Sequence, residues 1–473
     1  MINLQDIITA ITGHQIASLD VHISDAVIDS RQAVEGSLFI ALPGENVDGH
    51  DYLQAAFDQG AVLAFVDRQI PDGFNLLDLR EGHFTPEISE INLPLCLRVD
   101  NCLKALQTTA AYWRGLHPIP TIGITGSTGK TSTKELTASL LSMKFNVLKN
   151  PGNRNNEIGL PLTLLELNDQ HECAVLEMGF YVPGEIRTLC EIARPSIGVV
   201  TNIGTVHAER AGSQEIIAKG KAELVESLPT APKGIAILNM DDPWVRNMAN
   251  QTRARIFSYG IVEGADLTAS EIQVHGFEGV SCVLTYQGKS HSVRSPLLGQ
   301  FSVYTILRAA AVTLAEGMDW DTILQGLETS KMDLRMRKIT LPGGITVLDD
   351  TYNASPASTI AALELLRSLT GRRVAILGDM LELGQYEETG HKSVGETAVS
   401  SADVLILVGH RSRTTAKAAQ NHGFSPGQIH WFPDSNTAAQ PAAEIVKDGD
   451  VVLIKGSNSM RMDKILSALK VSE

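Results

Sequence analysis

The sequence predicts an α/β protein of three domains: a small mixed α/β N-terminal domain (1–99), a central parallel-sheet domain (100–329) and a C-terminal Rossmann-like domain (330–473). Three observations predict it. The chain has 473 residues, too many for one hydrophobic core and enough for about three domains. Short apolar strands alternate with helical patterns over two long stretches, the rhythm of parallel sheets covered by helices. One Gly-rich turn joins a strand directly to a helix.

The elements follow in order. Residues 1–99 mix short strands and helices; 37–42 is an apolar strand, and a loop over 43–51 follows. A helix is predicted over 100–116, ended by His117-Pro118-Ile119-Pro120. Residues 120–124 read as a strand, and 134–143 as a helix with Leu136, Leu140 and Met143 at helical spacing. Buried strands are expected at 173–176, 197–201 and 235–238, and helices at 213–228 and 301–316. Alternating residues and turns over 264–293 predict a small antiparallel patch. In the third domain, strands are predicted at 345–349, 373–377, 403–408 and 451–455. Ser355 and Pro356 form an N-cap and first-turn pair for a helix over 357–366. No G-x-G-x-x-G follows the first of these strands, so a dinucleotide cofactor is not indicated.

Composition excludes several classes. The chain is 43% hydrophobic and 20% charged, ordinary for a globular protein. A formal net charge of −15 argues against nucleic acid as a partner. No apolar run approaches the ~20 residues that span a bilayer, and the first 20 residues lack the pattern of a signal peptide. The five cysteines form no C-x-x-C pair and read as reduced, buried thiols of a cytosolic protein.

Thr125-Gly126-Ser127-Thr128-Gly129-Lys130-Thr131 carries the most information. Strand, Gly-rich turn and helix N-terminus together cradle a phosphate: backbone N–H groups approach the anion, and the helix end adds partial positive charge. Lys130 would reach the terminal phosphates and the Thr131 hydroxyl a Mg²⁺ ion. The run is a shortened T-G-x-x-G-K-T, since Ile124 stands where the longer motif has its first glycine. This makes the central domain one of the P-loop ATPase type.

Other candidates are weaker from residues alone. Glu177 ends a strand, where a carboxylate suits either Mg²⁺ or plain solvation. His207 follows another strand end; a lone histidine there is structural or a ligand. Lys221 lies within a predicted helix and reads as a surface lysine. Asn153-Arg154-Asn155-Asn156-Glu157 is an amide-rich loop that could bind phosphate or sugar. Asp349-Asp350-Thr351-Tyr352-Asn353 sits at a strand end, with Arg335 shortly before that strand. A carboxylate there could hold a ribose, and an arginine a migrating phosphoryl group.

Together these pieces resemble the Mur ligase family, ATP-dependent amide-forming enzymes of peptidoglycan precursor synthesis. The resemblance spans the whole chain in order. Asp29-Ser30-Arg31 and Leu42-Pro43-Gly44-Glu45 through Asp48-Gly49-His50-Asp51 are similar to the family's uridine-nucleotide module. Residues 125–135 match its ATP loop. Asn155 through Pro161, Glu177-Met178-Gly179 and Thr201-Asn202-Ile203-Gly204 with His207 match its central domain. Residues 349–356, Gly378-Asp379-Met380-Leu381-Glu382-Leu383-Gly384 with His391, and Lys455-Gly456-Ser457 with Met460 and Met462 match its C-terminal domain. The Gly378 to Gly384 run marks the branch that uses D-alanyl-D-alanine.

The resemblance implies UDP-N-acetylmuramoyl-tripeptide and D-alanyl-D-alanine as substrates, joined by an ADP-forming ligase through an acyl phosphate, in a cytoplasmic monomer. It implies ATP held by Gly126, Ser127, Thr128, Gly129, Lys130, Thr131, Ser132, Thr305, Arg335 and Asp350. Two Mg²⁺ ions would use Thr131, Glu177, His207 and Lys221, the last as a carbamylated lysine, with Lys219 a neighbouring competitor. Lys130, Lys221, His207 and Arg335 would be catalytic. Ser30, Arg31, Asn155, Asn156 and Asn353 would bind substrate. The chain departs from the family at Ser302 and Thr305, where asparagines are usual, at Ser355, where asparagine is usual, and at Asn458, where arginine is usual. Rival readings are another amino-acid-adding Mur ligase, a folylpolyglutamate-synthase-like ligase, or a catalytically silent nucleotide-binding regulator.

Overall fold

A computed structural model describes residues 2–16, 21–44, 47–86, 91–206, 208–330 and 336–471. The chain forms two compact units. The first comprises Met1–Gly123, Phe145–Gly179 and Gly184–Ile197; the second comprises Ile124–Lys144, Phe180–Pro183 and Gly198–Glu473.

In the first unit a five-stranded sheet runs in the order Ala26–Val27, Leu38–Ile40, Leu63–Val66, Leu95–Arg98, Asn75–Asp78. Every neighbouring pair is parallel. Leu38–Ile40 and Leu63–Val66 are buried at each residue, as a strand covered on both faces requires. The helix Leu4–Thr12 opens with a reciprocal capping box between Asn3 and Asp6 and closes on Gly13, whose φ of 74° permits the left-handed turn. The predicted helix at 100–116 is Cys102–Leu116; its start is fixed by the Asn101 side chain, which accepts from the Lys104 N–H. Val147–Lys149 and Cys173–Glu177 pair in parallel, so the predicted strand at 173–176 extends to Glu177.

The second unit contains two sheets. Ile235–Asn239, Arg255–Gly260 and Leu267–Val274 are parallel neighbours. The antiparallel strands Val280–Tyr286 and Lys289–Ser295 then extend this sheet and account for the alternation over 264–293. The other sheet orders Arg337–Thr340, Thr346–Asp350, Val451–Lys455, Arg373–Gly378, Val404–Val408, Ile429–Phe432. Only its first pair is antiparallel. Its strands alternate between two cores: Leu348, Ala375, Leu377, Leu405 and Leu407 face one, and Val347, Val374, Ile376, Val404 and Ile406 the other. Such two-sided burial is the mark of a doubly wound sheet. The edge strands Arg337–Thr340 and Ile429–Phe432 escape the sequence pattern because neither contains a fully buried residue. No helix among the described residues is long and apolar enough to cross a membrane.

The Gly378 to Gly384 run is built into this second sheet. The Asp379 carboxylate accepts from the Arg411 and Ser412 N–H groups at 3.2 and 2.7 Å, holding the start of the helix Ser412–Asn421. Gly378 and Gly456 pack against Met462, whose sulfur would lie 2.8 Å from a Cβ on Gly378. His391 is 1% exposed. Its Nε2 accepts from the Met380 N–H at 3.3 Å, and its Nδ1 lies 3.0 Å from Thr415 Oγ1.

Burial holds the His391 pKa below the ordinary histidine value, against the nearby Asp379 charge. The fold therefore favours the neutral imidazole, while the unfolded chain takes up a proton near pH 6.5. Stability from this group is complete above that pH and falls as the pH drops below it. The wild-type unfolding midpoint should therefore fall between about pH 7 and pH 5 more steeply than that of His391→Gln, measured by thermal denaturation across that range.

Candidate functional site

The strand Thr121–Thr125 runs into Gly126-Ser127-Thr128-Gly129, and the helix Lys130–Leu141 begins at once. The helix thus starts four residues earlier than its apolar spacing predicts. The physical reason is Gly129, which stands at the N-cap in the left-handed region (φ 79°) and turns the chain without a steric penalty. At Gly126 (φ +145°) a Cβ would lie 1.8 Å from Thr201 Oγ1, so only glycine lets these two strand ends approach.

The segment 201–204 fixes the loop from beside it. Thr201 N–H donates to the Thr125 carbonyl at 2.9 Å, and Ser127 N–H to the Asn202 carbonyl at 2.9 Å. The Asn202 amide clamps Thr128 on both sides: its Oδ1 accepts from Thr128 N–H at 3.0 Å and its Nδ2 donates to Thr128 Oγ1 at 2.8 Å. Gly204 N–H donates to Ser127 Oγ at 2.8 Å. Lys130 Nζ donates to the Gly126 carbonyl at 2.8 Å, which lays its ammonium over the loop.

A cavity of about 660 Å³ opens beside this loop. Thr128, Gly129 and Ser132 line one side, with Asn202, Ile203 and Gly204 beside them; Trp244, Phe301, Thr305 and Arg308 contribute elsewhere. Asp241 also lines it, but its carboxylate is occupied by Ile261 N–H, Val262 N–H and the Tyr304 hydroxyl. Asp350 lies outside this lining.

The second unit thus gathers Gly126 through Ser132 with Thr305. Lys221 sits on the helix Gln214–Glu226 and is 1% exposed, with Nζ 4.7 Å from the centre of the Phe180 ring. That corrects the plain expectation of a surface lysine, which Lys219 fits instead. Asp350 Oδ2 is 2.6 Å from Lys455 Nζ, which also donates to the Asn353 carbonyl at 2.8 Å. Lys455 therefore ties two predicted site residues together. His207 and Arg335 lie outside the described residues, as does Glu45.

In the first unit Glu177 is the last residue of its strand and 1% exposed, not solvated. Asn155 Nδ2 donates to Glu177 Oε1 at 2.8 Å, which orients the carboxylate. Asn156 Oδ1 accepts from Gly159 N–H at 2.8 Å, at the start of the helix Gly159–Leu165. Ser30 is buried in a short helical turn capped by Asp29. Arg31 pairs with Asp29 through two N–H···O contacts of 2.9 and 2.7 Å, and that hydrogen bonding holds the Asp29 carboxyl below its usual range.

Two residues that motif reasoning did not single out enter the site. Gln214 Nε2 donates to the Ile203 carbonyl at 2.7 Å, while its own N–H meets the Tyr386 hydroxyl at 3.4 Å. The segment that clamps the loop is thereby linked to the C-terminal sheet's surroundings. Nothing in the local pattern around Gln214 signals this. Arg308 does carry a signal, as the one cation in the otherwise uncharged helix Ser302–Ala315.

Three family models match the chain in order: "Mur ligase family, catalytic domain" over residues 22–76, "Mur ligase middle domain" over 124–313, and "Mur ligase, glutamate ligase domain" over 334–458. A UDP-N-acetylmuramoyl-tripeptide–D-alanyl-D-alanine ligase from Synechocystis is 36% identical over 456 residues, covering 96% of this chain and 93% of that one. The chain belongs to the Mur ligase family. Among solved Mur ligases, a MurF crystal structure from Acinetobacter baumannii superposes with a TM-score of 0.85 at 28% identity, covering 99% of this chain and 98% of that one. A MurF ligase from Thermotoga maritima in complex with ADP gives 0.80 at 27% identity, covering 96% and 98%. The three-domain α/β architecture expected from the sequence is the Mur ligase architecture.

The Lys455–Asp350 pair is buried, with side chains 3% and 13% exposed. Replacing Lys455 by Met leaves an uncompensated carboxylate, expected to cost about 3–5 kcal/mol. Replacing the 86%-exposed Arg31 by Met should leave the unfolding midpoint unchanged. Chemical denaturation of the two variants beside the wild type checks the contrast.

Proposed function

We propose that this chain is an ATP-dependent ligase that joins D-alanyl-D-alanine to UDP-N-acetylmuramoyl-tripeptide, forming ADP and phosphate, in cytoplasmic peptidoglycan precursor synthesis. The observation that carries the proposal is the clamped phosphate loop, set in a chain similar along nearly its whole length to ligases of that name. In this reading domain 1–99 takes the UDP end of the acceptor, 100–329 takes ATP, and 330–473 takes the incoming dipeptide. The chain would act as a monomer.

The chemistry starts from a tripeptide carboxylate, a poor electrophile in water. One carboxylate oxygen attacks the γ-phosphorus of ATP, the bond to the bridging oxygen breaks, and ADP leaves with that electron pair. The acyl phosphate is then attacked by the dipeptide amine, which loses a proton as phosphate departs. Lys130, with Arg335, would spread the charge of the migrating phosphoryl group. Backbone N–H groups of Gly129 through Ser132 would hold the phosphate chain at the helix N-terminus. Asp350 would meet the ribose through the oxygen not bound to Lys455, and Thr305 the adenosine. Ser30, Arg31, Asn155, Asn156 and Asn353 would hold the acceptor and dipeptide.

Mg²⁺ takes hard oxygen ligands, and the Thr131 hydroxyl and the Glu177 carboxylate are each of that kind. His207 and a carbamylated Lys221 would complete sites for two ions. On the helix Gln214–Glu226, a carbamate on Lys221 would offer anionic oxygens of the kind that Mg²⁺ takes. Bound there, Mg²⁺ would neutralise charge on the nucleotide phosphates.

The wild-type chain with Mg-ATP should release phosphate only when both UDP-muramoyl-tripeptide and D-alanyl-D-alanine are present, with a UDP-linked pentapeptide appearing by mass spectrometry. Release with folate and glutamate instead, or nucleotide binding with no turnover on any muramoyl acceptor, would favour the rival readings. Gly126→Ala should lower that turnover by about 100-fold, because its Cβ displaces the loop from Thr201.

A further inference from the structure

Arg308 is a buried cation without a counter-ion. It is 4% exposed. Its Nη2 donates to Thr305 Oγ1 at 3.2 Å, and the Tyr259 hydroxyl, which donates to the Val200 and Thr201 carbonyls, is an electrostatic neighbour. Its Nε has no partner. Among the described residues no carboxylate pairs with it. The two phenols beside it are neutral: burial pushes Tyr259 up to about 12 and raises Tyr304 as well. The Asp241 carboxylate in the same cavity is already saturated by two N–H groups and Tyr304. A guanidinium buried in this way is costly unless an anion meets it, and burial accordingly lowers its pKa.

Its position says which anion. Arg308 lines the cavity that Thr128, Gly129 and Ser132 also line. A Cβ on Gly129 would lie 3.1 Å from Nη2 and 3.4 Å from Nη1, so both terminal nitrogens face the first turn of the helix Lys130–Leu141. Backbone donors, helix dipole and guanidinium therefore converge on one place. We propose that Arg308 is a phosphate-binding residue, whose guanidinium contacts the phosphate chain of the nucleotide held by the loop at Gly126 to Thr131. This rests on the nucleotide-binding reading above and adds to it a charged contact from the helix Ser302–Ala315. The planar fork suits bidentate contact with phosphate oxygens, which an ammonium cannot reproduce.

The test compares ADP and adenosine binding to the full-length wild type, Arg308→Met and Arg308→Lys by calorimetry. Arg308→Met should bind ADP about 10- to 100-fold more weakly, the loss of one charge-assisted contact, with adenosine affinity unchanged. Arg308→Lys keeps the charge and guards against a variant that fails to fold; it should weaken ADP several-fold and leave adenosine alone. A folded Arg308→Met or Arg308→Lys protein that binds ADP as the wild type does would make Arg308 a core-filling residue and overturn the inference, leaving the nucleotide reading intact. Equal losses for ADP and adenosine would move the contact to the base and also overturn it. A wild-type chain that binds no ADP would overturn both.

Discussion

The close approach of two strand ends is the constraint on which the candidate site depends. The chain after Thr125 can lie against Thr201 only because Gly126 has no side chain. Once there, the Asn202 amide and the Gly204 N–H lock Thr128 and Ser127 into one conformation. The loop's path is thereby arranged before any anion arrives, so little reorganisation opposes binding. A loop of the same composition on a less crowded strand end would have to be ordered by its ligand.

The cations of the second unit share a common logic. Lys130, Lys221, Arg308 and Lys455 are cations in or near buried surroundings, but they are managed differently. Lys455 has a carboxylate partner in Asp350. Lys130 lies over a backbone carbonyl, and Lys221 over an aromatic face. Arg308 has the Thr305 hydroxyl. Buried charge is tolerated where a partner of opposite sign is supplied. Arg308, with which no carboxylate pairs among the described residues, stands where an anionic substrate would supply one.

The C-terminal sheet contributes support as well as a surface. The Gly378 to Gly384 run looks like a signature of chemistry in sequence, yet Asp379 and His391 spend their polar atoms on helix starts and backbone N–H groups. Gly378 is required by a methionine packed against it. Farther along, Tyr386 meets Gln214, and Gln214 holds the Ile203 carbonyl next to the clamp on the phosphate loop. A recurring pattern can therefore mark a fold's internal fittings as readily as its reacting groups.

The sequence by itself determined what is local. Strand, Gly-rich turn and helix start are short-range chemistry, so the phosphate loop was legible from seven residues. The Ser355 cap, the helix at Cys102–Leu116 and the four inner strands of the last sheet were legible for the same reason. Edge strands were not, because half-exposed strands lose the apolar run that gives inner strands away. The tertiary structure decided everything that depends on partners distant in the chain. It buried Lys221 while leaving Lys219 exposed, although the two lie in one helix and differ only in the face they present. It joined Asp350 to Lys455 across 105 positions and gave Glu177 its orientation from Asn155, 22 positions away. Burial and pairing are properties of the packed chain, and no local pattern encodes them.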